Sequence, residues 1–140
     1  MTKELLKRGI DPKRLILIEH SRHLTNQLKE RFPNVKSIHG SATHLVNLLG
    51  EQRHDVETIV SSLPLLTLPK TVTEKIVTQI DQIIKPHGIY IQYTYGLQKS
   101  IFEKKDRYIK TATHRVWLNL PPARVDVFTV KDTEPDLYQS

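Results

Sequence analysis

Short continuous apolar runs alternate along this chain with longer stretches in which apolar residues recur every three or four positions. Leu15-Ile-Leu-Ile18 is unbroken, as expected of a strand covered on both faces. Before it, Lys3 to Arg8 reads as a short helix with Gly9 at its C-cap, and Asp11-Pro12 as a turn. Ser21 is placed to cap a helix from Arg22 to Phe32, with Leu24, Leu28 and Phe32 along one face. Val35 to His39 predicts a second strand, about His44 to Leu49 another helix, and Val56 to Ser61 a third strand. Thr71 is expected to cap a long helix whose stripe is Ile76, Ile80, Ile83 and Ile84, ended by Pro86-His87-Gly88. Ile89 to Tyr95 is a β-branched and aromatic strand closed by Gly96. His114 to Leu120 and Arg124 to Val130, separated by Pro121-Pro122-Ala123, read as an antiparallel pair.

Alternating strands and helices with a terminal antiparallel pair predict an α/β layered fold around a mostly parallel sheet. Ligands of such sheets bind outside the carboxyl ends of the strands. Glu19, Gly40-Ser41-Ala42, Ser61 to Leu65 and Tyr93 to Gly96 all fall at such ends. At 140 residues the chain suits one domain, expected over 1–131, with 132–140 as a flexible tail. Composition narrows the partners only a little. There is no cysteine, which excludes disulfides and thiolate metal sites. No apolar run approaches the roughly 18–20 residues that span a bilayer. The charged amino terminus lacks an apolar core of signal-peptide length, so the expected location is cytoplasmic, or peripheral to the inner membrane face. The net charge of +6 suits an anionic partner, such as nucleic acid or an acidic lipid surface.

A buried-strand run ending in an acid is how many nucleotide-binding α/β folds hold a ribose, so Glu19 is the first candidate ligand-binding residue. His20, His23, His39 and His44 invite a metal reading, but no His-Glu-x-x-His pattern is present, and surface histidines are the expectation. Ser61 and Ser62 lack the glycine-flanked elbow of a nucleophilic serine. Tyr93 and Tyr95 alternate along one strand and share a face, either lining a pocket or packing under a helix. Lys99 to Lys110 has helix-like spacing of Ile101, Phe102, Tyr108 and Ile109 among basic residues. It is expected to be a basic amphipathic helix, docked on the domain or laid on an anionic membrane.

Several segments in this order carry a likeness: Leu-Ile-Glu19, Glu30-Arg-Phe-Pro33, His39-Gly-Ser-Ala42, Ser61-Ser-Leu-Pro-Leu-Leu66, Gln92-Tyr-Thr-Tyr-Gly96 and Val116-Trp-Leu-Asn-Leu-Pro-Pro-Ala-Arg-Val125. Together they resemble the class I S-adenosylmethionine-dependent methyltransferases, and more narrowly the bacterial phospholipid N-methyltransferases and the ribosomal-RNA adenine dimethylases. The resemblance covers about residues 2 to 130. It implies a Rossmann-like methyltransferase sheet with helices on both faces, S-adenosylmethionine as cofactor, and no metal. By that likeness Glu19 holds the ribose, with Ser41, Ala42 and Ser61 completing the cofactor site. Ser41 stands where the family usually has an aspartate that meets the adenine amino group. Ser62, Leu63, Pro64 and Tyr93 fall at the methyl-acceptor site. A serine and a leucine there replace an asparagine and a base-stacking aromatic, which suits a lipid-head amine better than a nucleobase.

The same likeness implies that the sheet's central strand and glycine-rich loop are not among these residues, so cofactor affinity is expected to be weak. The strands ending at Glu19 and Ser61 are then expected to close on each other or to receive a strand from elsewhere. The candidates are a second copy in a homodimer or a separately encoded N-terminal fragment.

Overall fold

The computed structural model describes residues 1–96, 98–116 and 123–132. The strands divide between two sheets rather than one. The first unit is α1 (Thr2–Lys7), β1 (Ile16–Glu19), α2 (Arg22–Arg31) and β2 (Lys36–His39). β1 and β2 pair in parallel, from Ile16 opposite Lys36 to Glu19 opposite His39. After α3 (Leu45–Leu49) come β3 (Thr58–Ser61), α4 (Lys70–Ile83), β4 (Ile89–Tyr95), β5 (Tyr108–Val116) and β6 (Ala123–Val130). These strands form a second sheet in the order β3-β4-β6-β5. β3 and β4 are parallel, whereas β6 runs antiparallel to both β4 and β5. The α/β fold and its terminal antiparallel pair are as the sequence predicts.

β1 and β3 do not pair with each other, so direct closure of the two strands is not the solution this chain adopts. Their environment explains why each stays in place. Ile16, Ile18 and Ile59 pack at the margin of one core built from Leu45, Leu49, Ile76, Ile80, Ile83 and Ile84. The apolar faces of the two sheets are therefore held together by shared side chains although their backbones are not bonded.

Local boundaries follow hydrogen-bonding opportunity. Ser21 caps α2 as expected, its Oγ accepting the Leu24 N–H at 3.3 Å. Leu24 itself is exposed and Thr25 is buried instead, with its hydroxyl donating to the Ser21 carbonyl at 2.8 Å. α4 begins at Lys70 with Pro69 in the N-cap position, not at a Thr71 cap, because Pro69 carries no N–H to satisfy there. Its stripe of Ile76, Val77, Ile80 and Ile83 is buried, and Ile84 continues it past the helix end. Gly88 follows, where an added Cβ would stand 2.7 Å from the Lys85 carbonyl and 2.9 Å from that of Glu57. Only glycine lets the turn pass so close to β3 before β4 begins.

The basic amphipathic helix expected over Lys99 to Lys110 is not formed. Ile101 to Lys104 is a single 3-10 turn, and Tyr108 already opens β5, earlier than His114. Phe102 and Tyr108 are buried against Tyr90 and Phe128, and ladder pairing with β6 supplies backbone bonds that a lone helix there would make only within itself. The basic side chains are also used inside the fold. Arg107 donates to the carbonyls of Asp81 and Ile84 at the end of α4, at 2.6 and 3.2 Å, and Lys105 meets Asp81 at 2.7 Å. The expected strand over Trp117 to Leu120, the Pro121-Pro122 turn and the 132–140 tail beyond Asp132 lie outside the described residues.

Among the described residues, no helix is long and apolar enough to cross a membrane.

Candidate functional site

One depression opens at the carboxyl ends of β3 and β4, and another runs from Glu19 along α2. The first, about 160 Å³, lies between the segment after β3 and the end of β4, and is lined by Ser62, Leu63, Pro64, Gln92, Tyr93 and Tyr95 among others. It brings together all four residues expected at the acceptor site: Ser62, Leu63, Pro64 and Tyr93.

The order of this cleft comes from a residue that sequence reasoning passed over. Gln92 is 3% exposed on β4, and its Nε2 donates to the Leu63 carbonyl and the Tyr93 carbonyl, each at 3.0 Å. Its Oε1 accepts the hydroxyl of Tyr90, itself fully buried, at 2.5 Å. Burial pushes the Tyr90 phenol above its ordinary range, so it stays a neutral donor. The available signal was the alternation in Ile89-Tyr-Ile-Gln-Tyr, which puts Tyr90 and Gln92 on one face of the strand. A buried amide on an apolar face needs partners, and here they are the loop that carries Leu63 and Pro64. Ser61, buried at 7%, adds a turn contact by accepting the Leu63 N–H on its Oγ at 3.2 Å. Thr73 of α4 ties the far end, donating to the Leu65 carbonyl at 2.9 Å. Replacing Gln92 with leucine is expected to destabilise the fold by about 1–3 kcal/mol, because the Tyr90 hydroxyl is left buried without an acceptor. Urea unfolding gives the number, and amide shifts at Leu63 and Leu65 report loosening of the loop.

Tyr93 and Tyr95 do share a face, with ring centroids 5.2 Å apart and planes at 78°. Tyr95 is 62% exposed, so the pair forms an open aromatic wall rather than core. The neighbouring Tyr93 hydroxyl raises the Tyr95 phenol above its usual range. The opposite wall, at Gln98 and Ser100, is fixed through charge. Arg124 donates to the Gln98 carbonyl and, through Nε, to the fully buried Asp126 at 2.8 Å.

The second depression holds Glu19 with Leu24, Gln27, Leu28 and Arg31. The Glu19 carboxylate accepts the Ser21 N–H on Oε1 at 2.8 Å, and among the described residues Oε2 has no partner. Gly40 donates its N–H to the Glu19 carbonyl at 3.0 Å, which sets Gly40-Ser41-Ala42 directly beside the acid. Ser41 caps the turn that follows: its Oγ meets the Thr43 N–H at 3.2 Å and the Thr43 hydroxyl at 2.8 Å. Ala42 packs against the core. Glu19, Ser41 and Ala42 thus lie together at the ends of β1 and β2, while Ser61 sits at the end of β3 in the other sheet. A free carboxylate oxygen on a strand end fits the hydroxyls of a ribose.

Among the described residues no three of His, Asp and Glu converge as a metal site. His39 faces the His20 carbonyl at 3.0 Å, His23 meets Gln27 at 3.2 Å, and His44 meets the Thr43 hydroxyl at 2.8 Å.

No protein-family model matches the sequence, and no curated protein matches it either. Solved structures do match in fold. The 1,6-didemethyltoxoflavin-N1-methyltransferase of Burkholderia thailandensis, solved with 1,6-didemethyltoxoflavin and S-adenosylhomocysteine, superposes with a TM-score of 0.68 at 13% identity, over 94% of this chain and 66% of its own. A TehB-like SAM-dependent methyltransferase from Corynebacterium glutamicum gives 0.62 at 17% identity, over 83% of this chain and 67% of its own. TrmN from Thermus thermophilus gives 0.62 at 12%, over 82% of this chain and 36% of its own. The chain thus has the Rossmann-like fold of the S-adenosylmethionine-dependent methyltransferases, and spans from about a third to two thirds of these matched chains.

Proposed function

We propose that this chain carries the acceptor cleft of an S-adenosylmethionine-dependent methyltransferase acting on the amine of a phospholipid head group. The observation that carries the reading is the cleft in which the Leu63-Pro64 segment, ordered by Gln92, faces the aromatic wall of Tyr93 and Tyr95. Bound S-adenosylmethionine supplies a methyl group on a sulfonium, open to in-line displacement by a neutral amine. The chain's task is then to position that neutral amine with its lone pair toward the methyl group and to exclude water from it. The Ser62 hydroxyl lies beside the cleft to accept a hydrogen bond from the amine, and Leu63 and Pro64 exclude water on one side. The tyrosine faces suit an ammonium head, which aromatic quadrupoles attract. No aromatic residue stands at the position after Pro64, where Leu65 is buried, so a stacked nucleobase is less well served. Glu19 would hold the ribose hydroxyls of the cofactor through its free carboxylate oxygen.

Amide chemical-shift titration with S-adenosylhomocysteine tests the cofactor side, since it registers weak binding. Shifts are expected at Ser21 and at Gly40 to Ala42. Glu19→Ala is expected to weaken binding by tenfold or more, corresponding to loss of about 1.5–3 kcal/mol from charge-assisted hydrogen bonds. Equal affinity in Glu19→Ala overturns the ribose assignment. On the acceptor side, phosphoethanolamine is expected to shift the Tyr93 and Tyr95 ring signals. A response to adenosine in its place would move the assignment to a nucleobase acceptor.

A further inference from the structure

We infer that the cleft between segment 62–66 and the end of β4 discriminates head groups by methylation state, holding a trimethylammonium more tightly than the primary ammonium of the same phosphate ester. Tyr93 and Tyr95 are the residues that set the preference. The inference rests on the amine-acceptor reading of this cleft and deepens it, since the grip tightens as methyl groups replace N–H bonds.

A primary ammonium brings three donors that lose water on entering, and each needs an acceptor. Among the described residues that line the cleft none carries a charge, so no carboxylate meets it there. The loop carbonyls are already engaged. That of Leu63 accepts the Leu65 N–H at 2.9 Å and Gln92 Nε2 at 3.0 Å. That of Pro64 accepts the Thr67 N–H at 3.0 Å and the Thr67 hydroxyl at 3.1 Å. Leu65 gives its carbonyl to the Thr73 hydroxyl at 2.9 Å. A carbonyl oxygen has two lone pairs, so Leu63 and Pro64 have none to spare. The Ser62 hydroxyl serves one N–H, which leaves two of an ammonium's three without an acceptor from this loop.

A trimethylammonium reverses this balance. It donates no hydrogen bond, and its charge is spread over three methyl groups that need no acceptor. Ring faces meet such a charge in place of lone pairs. Tyr93 and Tyr95 project from one face of β4 with centroids 5.2 Å apart and planes at 78°, so the two rings form a corner. Leu63, Pro64 and Ile101 offer aliphatic contact to the methyl groups around it. Leu66 and Tyr95 are both exposed at the rim, which leaves the corner open to a head group arriving from outside. The consequence is competition between product and precursor. A head group that already carries methyl groups occupies the cleft in preference to a fresh one.

The test titrates the 140-residue chain, without cofactor, with soluble ligands and follows the Tyr93 and Tyr95 ring signals. Phosphocholine is expected to bind about fivefold or more tighter than phosphoethanolamine, a difference of the size that two partly exposed rings supply. The shared phosphate cancels from this ratio. The neutral isostere of phosphocholine, with tert-butyl in place of trimethylammonium, is expected to bind more weakly than phosphocholine, because ring faces attract its charge and not its bulk. Tyr95→Leu, read at Tyr93, keeps an apolar side chain at an exposed position and is expected to lower the phosphocholine-to-phosphoethanolamine ratio by about half or more, whereas Tyr95→Phe keeps the ring and the ratio. Phosphoethanolamine binding as tightly as phosphocholine overturns the inference and leaves the amine acceptor standing. Equal binding of the isostere overturns it too, since apolar contact alone would then account for the preference. So does a ratio unchanged in Tyr95→Leu, or no ring response to phosphocholine at about 10 mM, beyond the range of weak binding. Ring shifts with adenosine and with neither amine ester would remove the inference and the acceptor reading together.

Discussion

Asp126→Ala is expected to lose about 3–5 kcal/mol of stability, enough to lower the melting temperature by roughly 10–20 °C. Asp126 is fully buried, and three donors reach its carboxylate: Arg124 Nε at 2.8 Å, Thr113 Oγ1 at 3.0 Å and Lys110 Nζ at 3.3 Å. Lys110 also meets Glu103 at 2.6 Å, and this contact holds the Glu103 carboxyl below its ordinary range. Two cations and two anions thus offset one another across β5, β6 and the 3-10 turn before β5. Removing Asp126 leaves Arg124, whose side chain is only 7% exposed, buried with a carbonyl as its remaining described partner. An uncompensated buried charge costs far more than the intact pair contributes, which is why truncation and not the pair's own strength sets the magnitude. The effect extends to the cleft, because Arg124 holds the Gln98 carbonyl at its wall. Asp126→Asn, which keeps the shape and one acceptor oxygen, is expected to fall between the two. Urea unfolding of all three proteins decides the matter, and a loss below about 1 kcal/mol for the alanine variant would show the network to be solvated.

The sequence was most legible where one period dominated and burial was complete. The isoleucine stripe of α4 and the β-branched run of β4 both lie where their patterns put them, because each packs one face on a core of matching residues. It was misleading at Lys99 to Lys110, where Ile101, Phe102, Tyr108 and Ile109 fit a helical face as well as an irregular turn followed by a strand. The long-range partners of Phe102 and Tyr108 decided that segment, and no local spacing announces them. β1 shows a different limit. Its unbroken apolar run correctly predicted a strand, yet all four of its residues are only half-buried, since β1 has a bonded neighbour on one edge alone. At the candidate site the strand ends could be read from the order of elements, and the four acceptor-side residues do line one cleft. Gln92 as the residue that orders the loop could not be read so directly, because its value lies in contacts with Tyr90 and the Leu63 carbonyl from a distant part of the chain.

Phe102→Ala is expected to destabilise the protein by about 3–5 kcal/mol through the cavity it leaves. The ring is fully buried, with its centroid 4.1 Å from Tyr90, 4.8 Å from Tyr108 and 6.1 Å from Phe128. Tilted and edge-on geometries of this kind add to the area term, and the surrounding rings relax only partly into the space. The Ser100 Oγ accepts the Phe102 N–H at 3.3 Å, so the backbone turn is fixed and does not follow the missing side chain inward. The consequence for the cleft runs through Tyr90. With its neighbour gone, the Tyr90 ring gains room to tilt, its hydroxyl leaves Gln92, and the Leu63 carbonyl loses the amide that holds it. Phe102→Ala is therefore expected to weaken any acceptor-head response at Tyr93 more than a variant of equal stability loss placed in α2. Phe102→Leu, which refills most of the volume, is expected to recover over half of the stability and most of the Tyr93 response. Denaturant unfolding and the Tyr93 ring signal, measured on the same samples, separate the two effects. A Phe102→Ala protein with a stability loss below about 1 kcal/mol would mean the aromatic cluster is not the support on which the cleft rests.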